Sequence, residues 1–343
     1  GRIAVAREGE VLAGGGVPEG QGAVGTVRRA TVQGVVLGRG GAMVARVGGA
    51  GLQPLYGLSG EPILVERVAQ SLPGYRGMGP VRAGNQAHEQ VQHDVYGAVI
   101  LALTQSLFDT RLARRGDSAL FHRLEAFGER AAALYDTPDA GIWEYRGRQR
   151  PHTFSAVMCW AAADRLARIA GALGLGPRAD HWRQRAEAMR ARVLAAAWDP
   201  AVGSFTGAFG HPTLDSSCLL LAELGFVEPS DPRFVATVAT IERELREGRM
   251  LMRYREEDDF GRPDTAFTVC TFWYVNALAS LGRRDEAREL FEHVLSRRTA
   301  LGLLSEDLDA HSGELWGNFP QTYSMVGIVD CAIRLSRSWE EAL

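Results

Sequence analysis

Two glutamates in this 343-residue chain stand where an acid and a base would be useful: Glu144, closing Gly141-Ile142-Trp143-Glu144, and Glu306, inside Leu303-Leu304-Ser305-Glu306-Asp307-Leu308-Asp309. A carboxyl behind an apolar pair such as Ile142-Trp143 is shielded from water, and desolvation favours its protonated, proton-donating form. The cluster Glu306, Asp307 and Asp309 offers a carboxylate able to activate water. Two such groups on either side of a bond suit hydrolysis with inversion, for which a separation of about 6.5–9.5 Å leaves room for the water. Taken alone, each glutamate is more simply read as a helix-flanking or solvated acid. Aromatic and arginine side chains crowd the same stretches: Tyr75-Arg76, Trp143, Tyr145-Arg146, Arg253-Tyr254-Arg255, Trp316 and Tyr323. Sugars bind by stacking on aromatic faces and by fixed polar donors, which is the chemistry such a collection offers.

Positioning these residues falls to helices. After Asn85 the apolar spacing predicts amphipathic helices over about 87 to 108, 118 to 135, 152 to 173, 179 to 197, 213 to 224, 231 to 247, 265 to 281, 284 to 298 and 319 to 336. Short links (around 109 to 117, 174 to 178, 225 to 230 and 282 to 283) alternate with long ones (135 to 151, 198 to 212, 248 to 264 and 299 to 318). The resulting period is roughly 50 residues, above the usual helical-repeat lengths. Antiparallel hairpins with one long loop per period place every long loop at the same end, and these loops carry the residues above. One helix of each pair is more apolar (Phe154 to Ala170, Phe267 to Leu281) and its partner more charged (Arg284 to His293), the division that a double ring of helices requires. A helical-repeat binding scaffold accounts for the period but not for the paired glutamates.

Composition narrows the partners. Apolar residues make up 46% and charged residues 23%, with a net charge of −3, the profile of a folded chain with no bulk positive charge for nucleic acid or an anionic membrane. A neutral oligosaccharide or disaccharide suits it. No stretch approaches the roughly 20 apolar residues of a membrane span. All 38 basic residues are arginine, a mark of GC-rich coding more than of function. Cys159, Cys218, Cys270 and Cys331 sit far apart in apolar stretches and read as buried reduced thiols, which points to the cytoplasm. His88 and His93 are five apart and His152 stands alone, so neither a metal nor a cofactor is expected. Residues 1 to 51 are dense in Gly, Val, Ala and Arg without helical periodicity, and read as an irregular segment.

From Leu52 to about Leu335, the stretches LQPLYGLSGE, GYRGMGPVRAGNQAHEQVQHDVYG, GIWEYRG, HTFSAVMCWAAADR, LDSSCLLL, GRRDEARELF and LLSEDLDAHSGELWGNFPQTYSMVG occur in order. In these stretches the chain resembles glycoside hydrolase family 15, the glucoamylase-type family that includes glucodextranases and bacterial trehalases. The resemblance implies an all-α fold, the (α/α)6 barrel or six-hairpin toroid, with nine of twelve helices legible and residues 52 to 343 as a partial catalytic domain. It implies Glu144 as general acid and Glu306 as general base. It also implies sugar contacts at Ile142, Trp143 and Arg253 (or Arg255 if the loop shifts), with Trp316 and Tyr75 as aromatic platforms.

The activity implied first is release of glucose from the nonreducing end of α-glucosides. The alternatives are α,α-trehalase and a catalytically impaired fragment or pseudoenzyme. Three departures stand out. Phe154 and Ala156 occupy positions where bacterial members usually carry His and Lys. No Trp-x-Arg-Asp-like motif, the sugar-gripping pair of the family, is present. The composition of residues 1 to 51 is compatible with a GC-rich frame translated out of register.

Overall fold

The computed structural model of the chain describes residues 51–57, 59–109 and 116–336. The expectation of an irregular segment over 1 to 51 therefore lies, apart from Gly51, outside the described residues. Helices form wherever the 3.6-residue apolar period is sustained: α1 (Asp94–Phe108), α2 (Ser118–Leu134), α3 (Thr153–Ala172), α4 (Gly176–Ala197), α5 (Leu220–Glu223), α6 (Pro232–Leu245), α7 (Thr268–Ser280), α8 (Arg284–Leu295) and α9 (Thr322–Ser336). Sequence-local chemistry marks several starts. Asp117 accepts the Leu120 amide at 2.9 Å ahead of α2, and Asp231 accepts the Arg233 amide at 2.9 Å ahead of α6, where Pro232 supplies a pre-set φ. Left-handed Gly174 and Gly282 stop α3 and α7 and turn the chain back within a few residues.

The inner and outer division holds. Every residue of α7 except Ser280 is buried, and α3 is buried along nearly its whole length, so both are enclosed on all sides. By contrast α8 buries Ala287, Leu290, Phe291 and Val294, the i, i+3, i+4, i+7 stripe of a helix with one face in water. Along the chain α3 packs on α1, α2 and α4, while α7 packs on α8, α9 and the segment before α5. This alternation of inner and outer helices around one continuous apolar core is the arrangement expected of an (α/α)6 barrel. No described helix is long and apolar enough to cross a membrane.

Two expected helices differ in extent. The one expected over 87 to 108 begins only at Asp94, because Gln86–Glu89 is a 3-10 turn and Gln90 is extended. There the backbone bonds sideways, with the Ala140 amide donating to the Val91 carbonyl at 2.9 Å and the His93 amide to Asp139 at 2.8 Å. The one expected over 213 to 224 shrinks to a 3-10 turn, Ser216–Leu219, and the single turn of α5, confined between the Asp215 side chain bonded to the Ser217 amide and left-handed Gly225.

The long loops carry two-residue strands. β1 (Arg67–Val68) pairs with β2 (Arg82–Ala83), β3 (Trp198–Asp199) with β4 (Ser204–Phe205), and β5 (Arg246–Glu247) with β6 (Met250–Leu251), all antiparallel. The fourth sheet joins two loops: β7 (Ala266–Phe267) pairs with β8 (Asp307–Leu308), which pairs with β9 (Leu315–Trp316).

Inner helices approach closely at Gly97 on α1, where an added Cβ would lie 2.1 Å from the Met158 carbonyl oxygen of α3. Gly97→Ala is expected to destabilise the protein by about 1–3 kcal/mol through forced separation of the two backbones, read as a lower urea midpoint.

Candidate active site

Glu144 lies in the loop from α2 to α3. It and Arg76 are the non-glycine residues among those described with positive φ, 58° for Glu144. That conformation costs an L-residue roughly 1–2 kcal/mol and persists where surrounding contacts impose it. The contacts are present. The Gln90 amide nitrogen donates to the carbonyls of Glu144 at 2.9 Å and Tyr145 at 3.2 Å. The Arg146 amide donates to Asp259 at 2.6 Å, while its guanidinium reaches Glu66 at 2.8 Å and Gln86 at 2.7 Å. At the base of the loop, fully buried Asp139 accepts from the His93 amide at 2.8 Å and the Ser155 hydroxyl at 2.7 Å.

Trp143 directs the loop inward. Its indole N–H donates to the Asp215 carboxylate at 2.7 Å, and its ring meets those of Tyr254, Phe267 and Trp273 at centroid distances of 5.9 Å each. Asp215 is buried, which raises its carboxyl above the usual range even with Ser217 and Trp143 as donors.

Glu306 lies in the loop from α8 to α9, immediately before β8. Its carbonyl accepts the Thr268 amide at 2.9 Å and its amide donates to the Asn318 carbonyl at 2.8 Å, so the backbone is stitched on both sides. Asn318 also holds the side chain, donating to Oε2 from its backbone at 3.1 Å and its side-chain amide at 2.9 Å. The next residue, Asp307, accepts from the Thr265 hydroxyl at 3.1 Å. Desolvation, with the Glu306 charge beside it, pushes the Asp307 carboxyl up to about 7 against the opposing pull of Arg253.

The two glutamates are linked through a short chain of contacts. Trp143, adjacent to Glu144, packs on Phe267, and Phe267 pairs in register with Asp307, adjacent to Glu306. Other predicted residues divide. Ile142 is half-buried against the core. Arg253 belongs to this cluster: its carbonyl accepts the Ser216 amide at 3.0 Å, and its guanidinium pairs with Asp258 at 2.9 Å within the field of Asp307. Arg255 is bound instead to Glu247 at 2.6 Å, so of the two arginines Arg253 is the one in the field of Asp307, the neighbour of Glu306. Trp316 stands opposite Asp307 in β9, and the exposed Tyr75 packs edge-on against it at 5.3 Å while its hydroxyl donates to Glu314 at 3.1 Å. Phe154 and Ala156, the positions departing from the bacterial pattern, are buried in the core.

Sequence reasoning missed Gln90, Asp94, Asp139, Asp215 and Asn318. Asp94 and Asp139 are fully buried beneath the Glu144 loop. Burial, then the neighbouring Asp139 charge, pushes the Asp94 carboxyl up to about 8, with Glu144 adding to the effect; burial pushes Asp139 up to about 6. Nothing local distinguishes Asp94 from an ordinary acid in the first turn of a helix. Among the described residues no group of three or more His, Cys, Asp or Glu is arranged to hold a metal ion.

Because folding raises the Asp94 pKa from 3.8, the stability it contributes is complete below pH 3.8 and is lost as pH rises towards 8. The slope from one such group is at most about 1.4 kcal/mol per pH unit. Asp94→Asn is therefore expected to gain stability relative to the wild type at pH 8 compared with pH 5, measured as the difference in urea midpoints.

A sequence model of Glycosyl hydrolases family 15 matches residues 44–333. The chain is 37% identical over 294 residues to a trehalase of Mycolicibacterium smegmatis, covering 85% of this chain and 43% of that protein. It is 35% identical over 296 residues to a trehalase of Thermoplasma volcanium, covering 85% and 46%. The chain thus spans about half the length of the curated relatives it matches. Among solved structures, a glycosidase in complex with glucose superposes with a TM-score of 0.62 at 19% identity, over 78% of this chain and 74% of that one. A glucoamylase from Saccharomycopsis fibuligera superposes with a TM-score of 0.59 at 11% identity, over 71% and 70%. The alternating helical rings, the order of the motifs and these matches agree: the chain belongs to glycosyl hydrolases family 15, with the (α/α)6-barrel fold.

Proposed function

We propose that this chain carries the acid and base of an inverting glycoside hydrolase and that its substrate is α,α-trehalose. The observation that carries the substrate reading is the similarity, over most of this chain, to relatives named trehalase, at identities well above those to the glucoamylase structures. It favours trehalase over the glucoamylase-like activity that the sequence reading put first.

In this reading Glu306 removes a proton from water as the water oxygen bonds to the anomeric carbon. The bond from that carbon to the bridging oxygen breaks, and Glu144 delivers its proton to the departing oxygen. The roles are supported by the Trp143–Phe267–Asp307 contacts, which bring both loops to one aromatic cluster, and by the two Asn318 donors, which fix the orientation of the Glu306 carboxylate. Trp143 and Arg253 supply an apolar wall and a fixed donor for the sugar.

Inversion has a stereochemical signature. Trehalose is α at both anomeric carbons, so each turnover releases one β-glucose from the attacked ring and one α-glucose from the leaving ring. Early-time proton NMR of the reaction is expected to show the two anomers in equal amounts. Glucose from maltotriose but not from trehalose would return the glucoamylase-like reading. Glu144→Gln and Glu306→Gln are each expected to lower turnover by about 10²–10⁴-fold with unchanged thermal unfolding, and appreciable activity in either variant would remove that residue from its role.

A further inference from the structure

We infer that Gln90 is a positioning residue for the general acid, holding the left-handed turn from which the Glu144 side chain projects. This rests on the reading of Glu144 as the acid. Gln90 lies outside every helix, in the extended stretch that precedes α1, with φ −84° and ψ 151°. Its neighbours bind the same loop by backbone, through Val91 to Ala140 and His93 to Asp139, so the stretch from 90 to 93 is fixed alongside the Glu144 loop.

From that rail the half-buried Gln90 side chain bridges the carbonyls of Glu144 and Tyr145, the peptides on the C-terminal side of the strained φ. Gln92 donates to the Gln90 side-chain oxygen at 3.2 Å, which sets the amide so that its nitrogen faces the loop. A left-handed glutamate reverts to the ordinary α or β region when nothing opposes it, and reversion swings Cβ and the carboxyl away. A displacement of about 1 Å at a reacting group costs on the order of 10²-fold in rate.

The test separates positioning from general stability through the leaving group. Trehalose needs a proton delivered to its bridging oxygen, whereas α-glucosyl fluoride departs as fluoride without one. In Gln90→Met, which keeps the side-chain length and removes the donor, kcat on trehalose is expected to fall about 10- to 100-fold with KM little changed, while kcat on α-glucosyl fluoride stays near wild type. Gln90→Asn, which keeps a donor one methylene short of the two carbonyls, is expected to show the same split and serves if the Met variant fails to fold. Equal losses on both substrates, or no loss on trehalose, overturn the proposal. Glu144→Gln is measured alongside. If it retains trehalose turnover, the acid assignment fails and Gln90 falls with it. If it is inactive on trehalose while both Gln90 variants match wild type, only the Gln90 proposal fails.

Discussion

The arrangement of the site depends on one side chain, the indole of Trp143. It leaves the loop between α2 and α3, donates to Asp215 in the loop before α5, and packs against Tyr254 and Phe267 of the loop between α6 and α7. Phe267 then pairs with Asp307 of the loop before α9. Four loops from four places in the chain are thereby held to one ring. Each aromatic contact is worth about 0.5–1.5 kcal/mol beyond area burial, and a hydrogen bond to a charged acceptor about 1.5–3 kcal/mol. No single contact here exceeds a few kilocalories, but the ring cannot shift towards one partner without losing another. Rigidity at the site arises from this geometric overdetermination.

Strain at Glu144 follows from the same arrangement. The loop brings Trp143 to Asp215 and the buried Tyr145 against His152 and Tyr254 before Arg146 turns to Glu66 and Asp259, and the left-handed residue between the two packed rings is Glu144. A glycine would meet the turn without strain but could not carry a carboxyl. The left-handed backbone is held by hydrogen bonds on its C-terminal side, from Gln90 to the two carbonyls and from the Arg146 amide to Asp259.

Acidic groups are distributed unevenly beneath these loops. Asp94, Asp139 and Asp307 all have carboxyls pushed upward by desolvation, to about 8, 6 and 7, so that at neutral pH Asp94 is mostly protonated and Asp307 partly so, while Asp139 keeps most of its charge. A fully ionised set of buried acids would repel one another strongly at low dielectric, and protonation relieves this. The surface acids behave oppositely: Glu66 and Glu247 are drawn below the usual range by arginine partners, which tie the outer ends of the loops together.

Much of the fold was legible in the sequence, because helical periodicity and capping are local. Asp117, Asp231-Pro232 and Gly174 act on their own few residues, and the apolar faces of α3 and α7 announce themselves without knowledge of their partners. Motif order also pointed to the family, which the match over residues 44–333 shows, and through that resemblance to the two glutamates as candidates. Helix boundaries were misjudged where side contacts outcompeted propensity: at Gln90 to His93, where backbone groups bond across to the Glu144 loop, and around Asp215, whose carboxylate is shared between a local turn and a distant indole. Only the tertiary structure separated the two candidate arginines, placing Arg253 in the field of Asp307 and Arg255 against Glu247. Arg253 and Arg255 lie two apart on one loop, where a regular extended backbone would put both on one face; the chain bends at each of them, and one turns towards Asp258 and the other to Glu247. The same holds for Gln90, Asn318 and Asp94, whose surroundings come from partners between 12 and 55 positions away. Contacts at that separation are set by how helices pack, and no local pattern in the chain encodes them.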